Sequence, residues 1–175
     1  MPAAEAERQL VVFSLHGEQY GLPITSVREI IRYIAPSATA VARGVVRGMI
    51  NLRGRTLPVV DLSSRLGREL ETRRSTRILV VEVSGGSLGL IVDAVDGILH
   101  VPAEKIAPLP TAADTALGDE IAAVGERLIV LIDPERALGD VLPRKPTRQR
   151  KPAASRAAVS RGDQRPRRRG GQDSP

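Results

Sequence analysis

The stretch Gly48-Met-Ile-Asn-Leu-Arg-Gly-Arg-Thr-Leu-Pro-Val-Val-Asp-Leu62 contains two short apolar runs on either side of Arg53-Gly54-Arg55. Because glycine adopts positive φ at no steric cost, Gly54 is the predicted structural turn of a tight β-hairpin. Pro58 has no N–H to give to a ladder, so the second strand should lie at a sheet edge or beside a bulge. Arg53 is then expected to project from a rigid turn.

Short runs rich in Val, Ile and Leu continue on both sides of this hairpin, separated by turn signals. Hydrophobic residues make up 42% of the chain but aromatic residues only 2%, so the core must be largely aliphatic. This pattern is typical of an all-β sandwich or of small barrels. Strands are predicted over residues 10–15, 19–22, 77–83, 87–92, 94–101 and 127–132.

The segment from Ile24 to Ile34 has apolar residues at helical spacing instead of strand alternation. Ser26 followed by Glu29 matches a capping box, so a helix is predicted to begin near Val27 and to end at Pro36. The apolar positions of this stripe are Ile24, Val27, Ile30, Ile31 and Ile34. Two shorter helices are predicted, one over 61–66 with Asp61 as its cap and one over 135–138 capped by Asp133-Pro134.

The charge is unevenly distributed along the chain. Residues 143–175 carry 11 Lys/Arg and 2 Asp/Glu, whereas residues 1–142 carry 15 and 18. Residues 1–8 are expected to be a flexible N-terminus, and 143–175 a disordered basic tail, because the tail has almost no aliphatic residue to bury. The tail either solubilises the protein or binds an anionic surface or nucleic acid weakly through counterion release.

Residues that could carry chemistry are sparse. His16 and His100 stand in different segments without a partner motif, and Asp93 and Asp96 should face opposite sides of a strand. The glycines of Ser84-Gly-Gly-Ser87 are explained by a hairpin turn. No Cys is present, the start of the chain does not resemble a signal peptide, and no apolar run approaches the ~18 residues of a membrane span. We therefore expect a cytoplasmic protein that is not an enzyme, with no cofactor, metal or membrane insertion.

Several motifs in one order resemble the CheW family, the coupling proteins of bacterial chemosensory arrays. The first two are Asn51-Leu-Arg-Gly54 and Pro58-Val-Val-Asp-Leu62. Others lie at residues 13–21, 27–30, 88–95, 106–108 and 129–133. The resemblance implies a CheW-like domain over residues 9–142, folded as two small SH3-like five-stranded β-barrels that share a core.

The resemblance also implies a function and a site. Members are non-catalytic adaptors that couple the cytoplasmic tip of a chemoreceptor to the regulatory domain of a CheA-type histidine kinase. The positions matching a functionally sensitive pair in the family are Glu29 and Arg53, where the arginine could clamp a helix carboxylate in two-pronged fashion. Without the resemblance, Glu29 would only close the capping box, and Arg53 would be a solvated turn charge.

Further partner contacts follow from the same resemblance. Ile24, Val27 and Ile30 are expected to line a receptor groove together with Glu29 and Arg53, although a helical apolar stripe is more often core. Arg47 and Gly48, in the turn before the Asn51 motif, are expected to face the kinase, although a strand start could itself require Gly48.

One loop departs from the family pattern. In relatives, the loop after residues 106–108 brings a basic and an aromatic residue to a second kinase contact that closes six-membered rings. Ala107, Ala112 and Ala113 offer neither side chain. A nucleic-acid-associated protein that acts through its basic tail is the alternative function, and an unrecognised hydrolase is a more distant one.

Overall fold

Two β-sheets make up the fold in a computed structural model that describes residues 6–40, 42, 44–110 and 117–142. The first sheet has the order β8-β1-β2-β11-β10-β9, and the second has the order β3-β6-β7-β5-β4. Most neighbours are antiparallel, but β2 with β11 and β5 with β7 are parallel. The strands are β1 Glu7–Leu15, β2 Glu18–Pro23, β3 Val27–Arg32, β4 Val46–Leu52, β5 Arg55–Asp61, β6 Arg77–Val83, β7 Gly86–Val92, β8 Ala94–Pro102, β9 Ile106–Pro108, β10 Glu120–Val124 and β11 Arg127–Leu131.

Four short helical segments complete the fold of the described residues. The α-helix α1, Pro134–Leu138, begins after Asp133, whose carboxylate accepts the N–H groups of Glu135 and Arg136, as the sequence predicted. Three 3₁₀ turns span Ile24–Ser26, Ser63–Leu66 and Ala103–Lys105. The second of these replaces the helix predicted over 61–66, and Asp61 itself ends β5.

Three apolar clusters show how the sheets are arranged. Successive side chains of a strand point to opposite faces, so each sheet contributes to two clusters. One cluster lies within the first sheet and includes Leu10 and Val12, and another lies within the second sheet and includes Ile78 and Val80. The largest lies between the sheets and draws on both of them and on α1. Two small β-barrels with a shared core are therefore confirmed, the first with a sixth strand, β9.

The central hairpin forms as predicted. Register pairs Leu52 with Arg55, and the two turn residues, Arg53 and Gly54, have φ of 51° and 80°. Two successive residues with positive φ are typical of a type I′ turn, whose twist matches that of the flanking strands. The Asn51 side chain closes the turn by accepting the Gly54 N–H at 2.9 Å.

The helix predicted from Val27 is wrong. Residues Val27–Arg32 form β3 directly after the 3₁₀ turn Ile24–Ser26, so there is no helix here for the predicted capping box to cap. The register on β6 shifts between Val27 and Glu29, which makes Arg28 an extra residue in the strand. Val27 is therefore opposite Val81, and Ile30 is opposite Leu79, both of which belong to the shared core. A bulge thus puts residues three apart on one face, which mimics helical spacing.

Two other expectations also need correction. Strand β1 begins at Glu7, so Glu7 and Arg8 belong to the first sheet and not to a flexible terminus. Arg47 and Gly48 lie inside β4 and not in a turn before it. Of the two positions predicted for the strand with Pro58, the second is correct. Strand β5 is internal to its sheet, but the register irregularity between Val46 and Gly48 of β4 lies next to Pro58.

Residues 143–175, the predicted tail, lie outside the described residues.

Candidate functional site

Glu29 and Arg53 form an ion pair between the two edges of the second sheet. Glu29 lies on β3 and Arg53 in the turn after β4, and these strands stand at opposite ends of the strand order. Arg53 Nη1 donates to both carboxylate oxygens of Glu29, at 3.1 and 3.0 Å. The predicted contact between Arg53 and Glu29 is confirmed. A single guanidinium nitrogen makes both bonds, so the predicted two-pronged clamp by two nitrogens is wrong. The carboxylate of Glu29 also comes from a strand and not from a helix.

Solvent reaches much of this pair. The side chain of Arg53 is 75% exposed and that of Glu29 is 27% exposed, so the ion pair itself stabilises the fold by only about 0–1 kcal/mol. Within the described part of the chain, Arg53 Nε and Nη2 have no acceptor, which leaves donors pointing to solvent. A concavity of about 200 Å³ adjoins the pair and is lined by Arg28, Glu29, Leu52, Arg53, Arg55, Leu57, Val80 and Ser87.

The predicted apolar stripe divides between core and surface. Ile24 and Val27 are partly buried against the shared core, whereas Ile30 is 44% exposed. Ile34, beyond β3, is 45% exposed. Ile31 packs against the cluster within the second sheet. The expectation that this stripe is mostly core therefore holds for Ile24, Val27 and Ile31, and Ile30 is available to a partner.

Sequence reasoning missed a further exposed isoleucine, Ile98. It lies on β8, the edge strand of the first sheet, and is 57% exposed. Its register partner is Val11 of the shared core. The register shift in β8 passes over Asp96, so Val95 and Ile98 lie on one face, as Val27 and Ile30 do in β3. An edge strand of each sheet thus carries an exposed isoleucine on its core-facing side. Assigning faces by strict alternation of successive residues would place Ile30 and Ile98 on the wrong side of their strands.

Arg47 forms an ion pair with a buried carboxylate of its own chain, that of Asp61. Its Nε and Nη2 donate to Asp61 Oδ2 at 3.0 and 2.6 Å, and Asp61 is fully buried at the end of β5. The other carboxylate oxygen, Oδ1, accepts the Ser63 N–H at 2.8 Å and so starts the following 3₁₀ turn. Sequence reasoning named Arg47 only for the kinase and missed its bond with Asp61.

Gly48 also has a structural explanation. Its φ is 150°, and a Cβ atom at this position would lie 2.2 Å from the carbonyl oxygen of Ser37. Ser37 pairs with the next residue, Met49, through two backbone hydrogen bonds. The close approach of this segment requires glycine, and a contact of Arg47 or Gly48 with a kinase stays a prediction.

No catalytic centre is assembled from the residues that sequence reasoning considered. His16 Nε2 lies 2.8 Å from Ser63 Oγ, but Ser63 is fully buried and out of reach of a substrate. Asp93 is occupied by the backbone N–H of His16 at 2.6 Å. Over the described ranges, no group of three or more His, Cys, Asp or Glu could hold a metal ion, and no helix is long and apolar enough to span a membrane. In the departing loop, Ala107 is exposed on β9, and Ala112 and Ala113 lie outside the described residues.

Comparisons with known proteins agree with this architecture. The chemotaxis protein CheW of Rhizobium meliloti is 35% identical over 130 residues, which cover 72% of this chain and 84% of the relative. CheW of Bacillus subtilis is 31% identical over 134 residues, covering 74% and 86%. The crystal structure of the scaffolding protein TtCheW from Thermoanaerobacter tengcongensis matches with a TM-score of 0.68 and 35% identity, over 73% of this chain and 90% of that one. The family model described as the CheW-like domain matches residues 9–142, so the chain belongs to the CheW-like domain family.

Proposed function

We propose that this protein is a non-catalytic adaptor that couples a chemoreceptor to a CheA-type histidine kinase in a chemosensory array. Its similarity to chemotaxis proteins named CheW and to a scaffolding protein supports this function. The observation that carries the proposal is the exposed Glu29–Arg53 pair, which joins the two edges of the second sheet. The adaptor acts in the cytoplasm, where receptor tips and the kinase meet.

The surface around the pair suits docking better than catalysis. Arg53 offers guanidinium donors, and Ile30, next to Glu29 on the edge strand β3 but on its opposite face, offers exposed apolar area to a partner that docks along this edge. A partner helix with a polar residue beside an apolar face could use both kinds of contact. We assign the receptor contact to Ile24, Val27, Glu29, Ile30 and Arg53, and the kinase contact to the neighbourhood of Arg47 and Gly48.

The test is kinase activity reconstituted with receptor, CheA-type kinase and this protein. Arg53→Glu should abolish receptor-dependent activation, because it places a second carboxylate against Glu29 and removes the exposed donors. The variant should remain folded by circular dichroism, since the pair is exposed. Normal activation by this variant would overturn the proposal.

Two further variants separate docking from a general charge effect. Arg8→Glu is a matched control, because Arg8 also forms an exposed ion pair, with Glu120, but lies on the first sheet. It should activate as the unaltered protein does. The exchange Glu29→Arg with Arg53→Glu restores an ion pair in reverse and should stay inactive if the partner contacts the guanidinium at residue 53. Recovery of activity would instead assign the pair to holding the sheet edges together.

The alternative of a nucleic-acid-associated protein has no support in these comparisons. The relatives reported above carry chemotaxis names, and the matched domain ends at residue 142, before the basic segment. The role of residues 143–175 stays a prediction.

A further inference from the structure

A second concavity lies on the second sheet, where β3 ends and β6 begins. It has a volume of about 510 Å³, and its walls carry four guanidinium groups and a tyrosine ring. No carboxylate belongs to its lining. We call it the arginine pocket, and its residues are Arg32, Tyr33, Arg73, Arg74, Thr76 and Arg77.

The charge of the arginine pocket is largely uncompensated. Among the described residues, the only ion pair made by its arginines is that of Arg73 with Glu71, at 2.9 Å, with both side chains more than 70% exposed. Arg32 and Arg74 have no ion-pair partner within the described ranges. Arg32 also lies directly across the sheet from Arg77, and like charges in this position destabilise a sheet unless an anion separates them.

Backbone groups around the pocket fix the turn that carries Arg73 and the guanidinium of Arg77. The N–H of Thr76 donates to the Arg73 carbonyl at 3.0 Å, and the hydroxyl of Thr76 accepts the Arg73 N–H at 2.7 Å. Thr76 itself is buried, so this turn is anchored to the protein interior. Arg77 Nη1 donates to the carbonyls of Arg74 and Thr76, at 2.8 and 2.9 Å, which fixes its guanidinium.

We propose that the arginine pocket binds a phosphate chain of two or more phosphates, from an inorganic polyphosphate or a nucleotide. Planar guanidinium groups match the oxygens of phosphate bidentately, and several of them are needed to neutralise a chain that carries several charges. A volume of about 510 Å³ accommodates a small organic ligand, and the Tyr33 ring provides a face for a base. The arginine pocket shares no lining residue with the concavity beside Glu29 and Arg53, and it does not depend on the proposed adaptor function.

The experiment is isothermal titration calorimetry of the full chain, which measures its affinity for tripolyphosphate, ATP and hexaglutamate. Arg32→Ala with Arg74→Ala should weaken tripolyphosphate binding about tenfold or more, because charge-assisted hydrogen bonds are lost. Arg68→Ala with Arg127→Ala changes the net charge equally outside the pocket and should leave the affinity unchanged. Residues 143–175 are present in every variant, so their positive charge contributes equally.

The proposal is supported if tripolyphosphate binds more tightly than hexaglutamate and if its affinity depends on the arginines of the pocket. Tighter binding of ATP, lost in Tyr33→Leu, would identify a nucleotide source, whereas equal binding would identify an inorganic one. Equal weakening in both double variants, or hexaglutamate binding as tight as tripolyphosphate, would overturn the proposal and assign the effect to net charge or to an acidic protein segment.

Discussion

Arg47 and Asp61 form an ion pair in which only one partner reaches solvent. The Arg47 side chain is 42% exposed and that of Asp61 is fully buried. A buried carboxylate needs hydrogen-bond donors on every side, and Arg47 supplies two of them while the Ser63 N–H supplies another. The bond could not be read from the sequence, because it depends on the bulge that makes Arg47 the extra residue of β4. The Glu29–Arg53 contact was predicted only through the family resemblance.

Removing Arg47 should therefore destabilise the protein, whatever its role toward a kinase. We expect Arg47→Ala to lower the free energy of unfolding by about 2 to 3 kcal/mol, because Asp61 keeps its burial and loses two charge-assisted bonds. Urea unfolding followed by circular dichroism measures the change. Arg28→Ala is the control, since Arg28 and Glu82 are each about half exposed. Its expected change is about 0–1 kcal/mol, and equal effects of the two variants would contradict the assignment.

At the level of the element, the predictable elements are those with a regular alternation of apolar and polar residues, a strong turn signal or a clear helix cap. The hairpin at Gly54, the hairpin between β6 and β7, and α1 after Asp133 all carry local signals that fix them. Strand β3 was mistaken for a helix because the extra residue Arg28 puts Val27 and Ile30 on one face. A bulge depends on the partner strand, and a single sequence does not show which strands are partners.

The approach of Ser37 to β4 gives a prediction about Gly48. Gly48→Ala should cost about 3 kcal/mol, from the positive φ and from the clash of the new Cβ with the Ser37 carbonyl. Gly54→Ala shares the positive φ but meets nothing within 4 Å, so about 1 kcal/mol is expected. Thermal and urea unfolding of both variants would test this. A Gly48 variant no less stable than the Gly54 variant would show that residues 36–37 move away readily.

For the whole molecule, the shared core decides stability, and Tyr20 lies within it against Phe13. Burial, together with the hydrogen bond that its hydroxyl donates to Glu18, raises the pKa of Tyr20 well above its ordinary 10.0. The folded state therefore keeps a proton that the unfolded chain releases. The resulting stabilisation is complete below pH 10 and is lost as the pH rises above it.

Above pH 10, we expect the free energy of unfolding to fall more steeply than that of the Tyr20→Phe variant. The difference in slope should approach about 1.4 kcal/mol per pH unit, the value for one proton released on unfolding. The comparison removes the contributions of other groups that titrate in this range, because both proteins share them. Urea unfolding between pH 8 and pH 11, roughly bracketing the tyrosine range, measures the difference. Parallel curves for the two proteins would show that Tyr20 ionises without unfolding the core.

The second sheet is built from five consecutive strands, β3 to β7, whereas the first takes strands from both sides of that block. On the ribosome, the second sheet has all its strands once Val92 has emerged. Strands β1 and β2 have only each other until β8 and β11 are synthesised, and unpaired strand edges are sites of aggregation. The nascent chain thus completes the surface that carries Arg53 first, and the earliest-synthesised strands are the last to be protected.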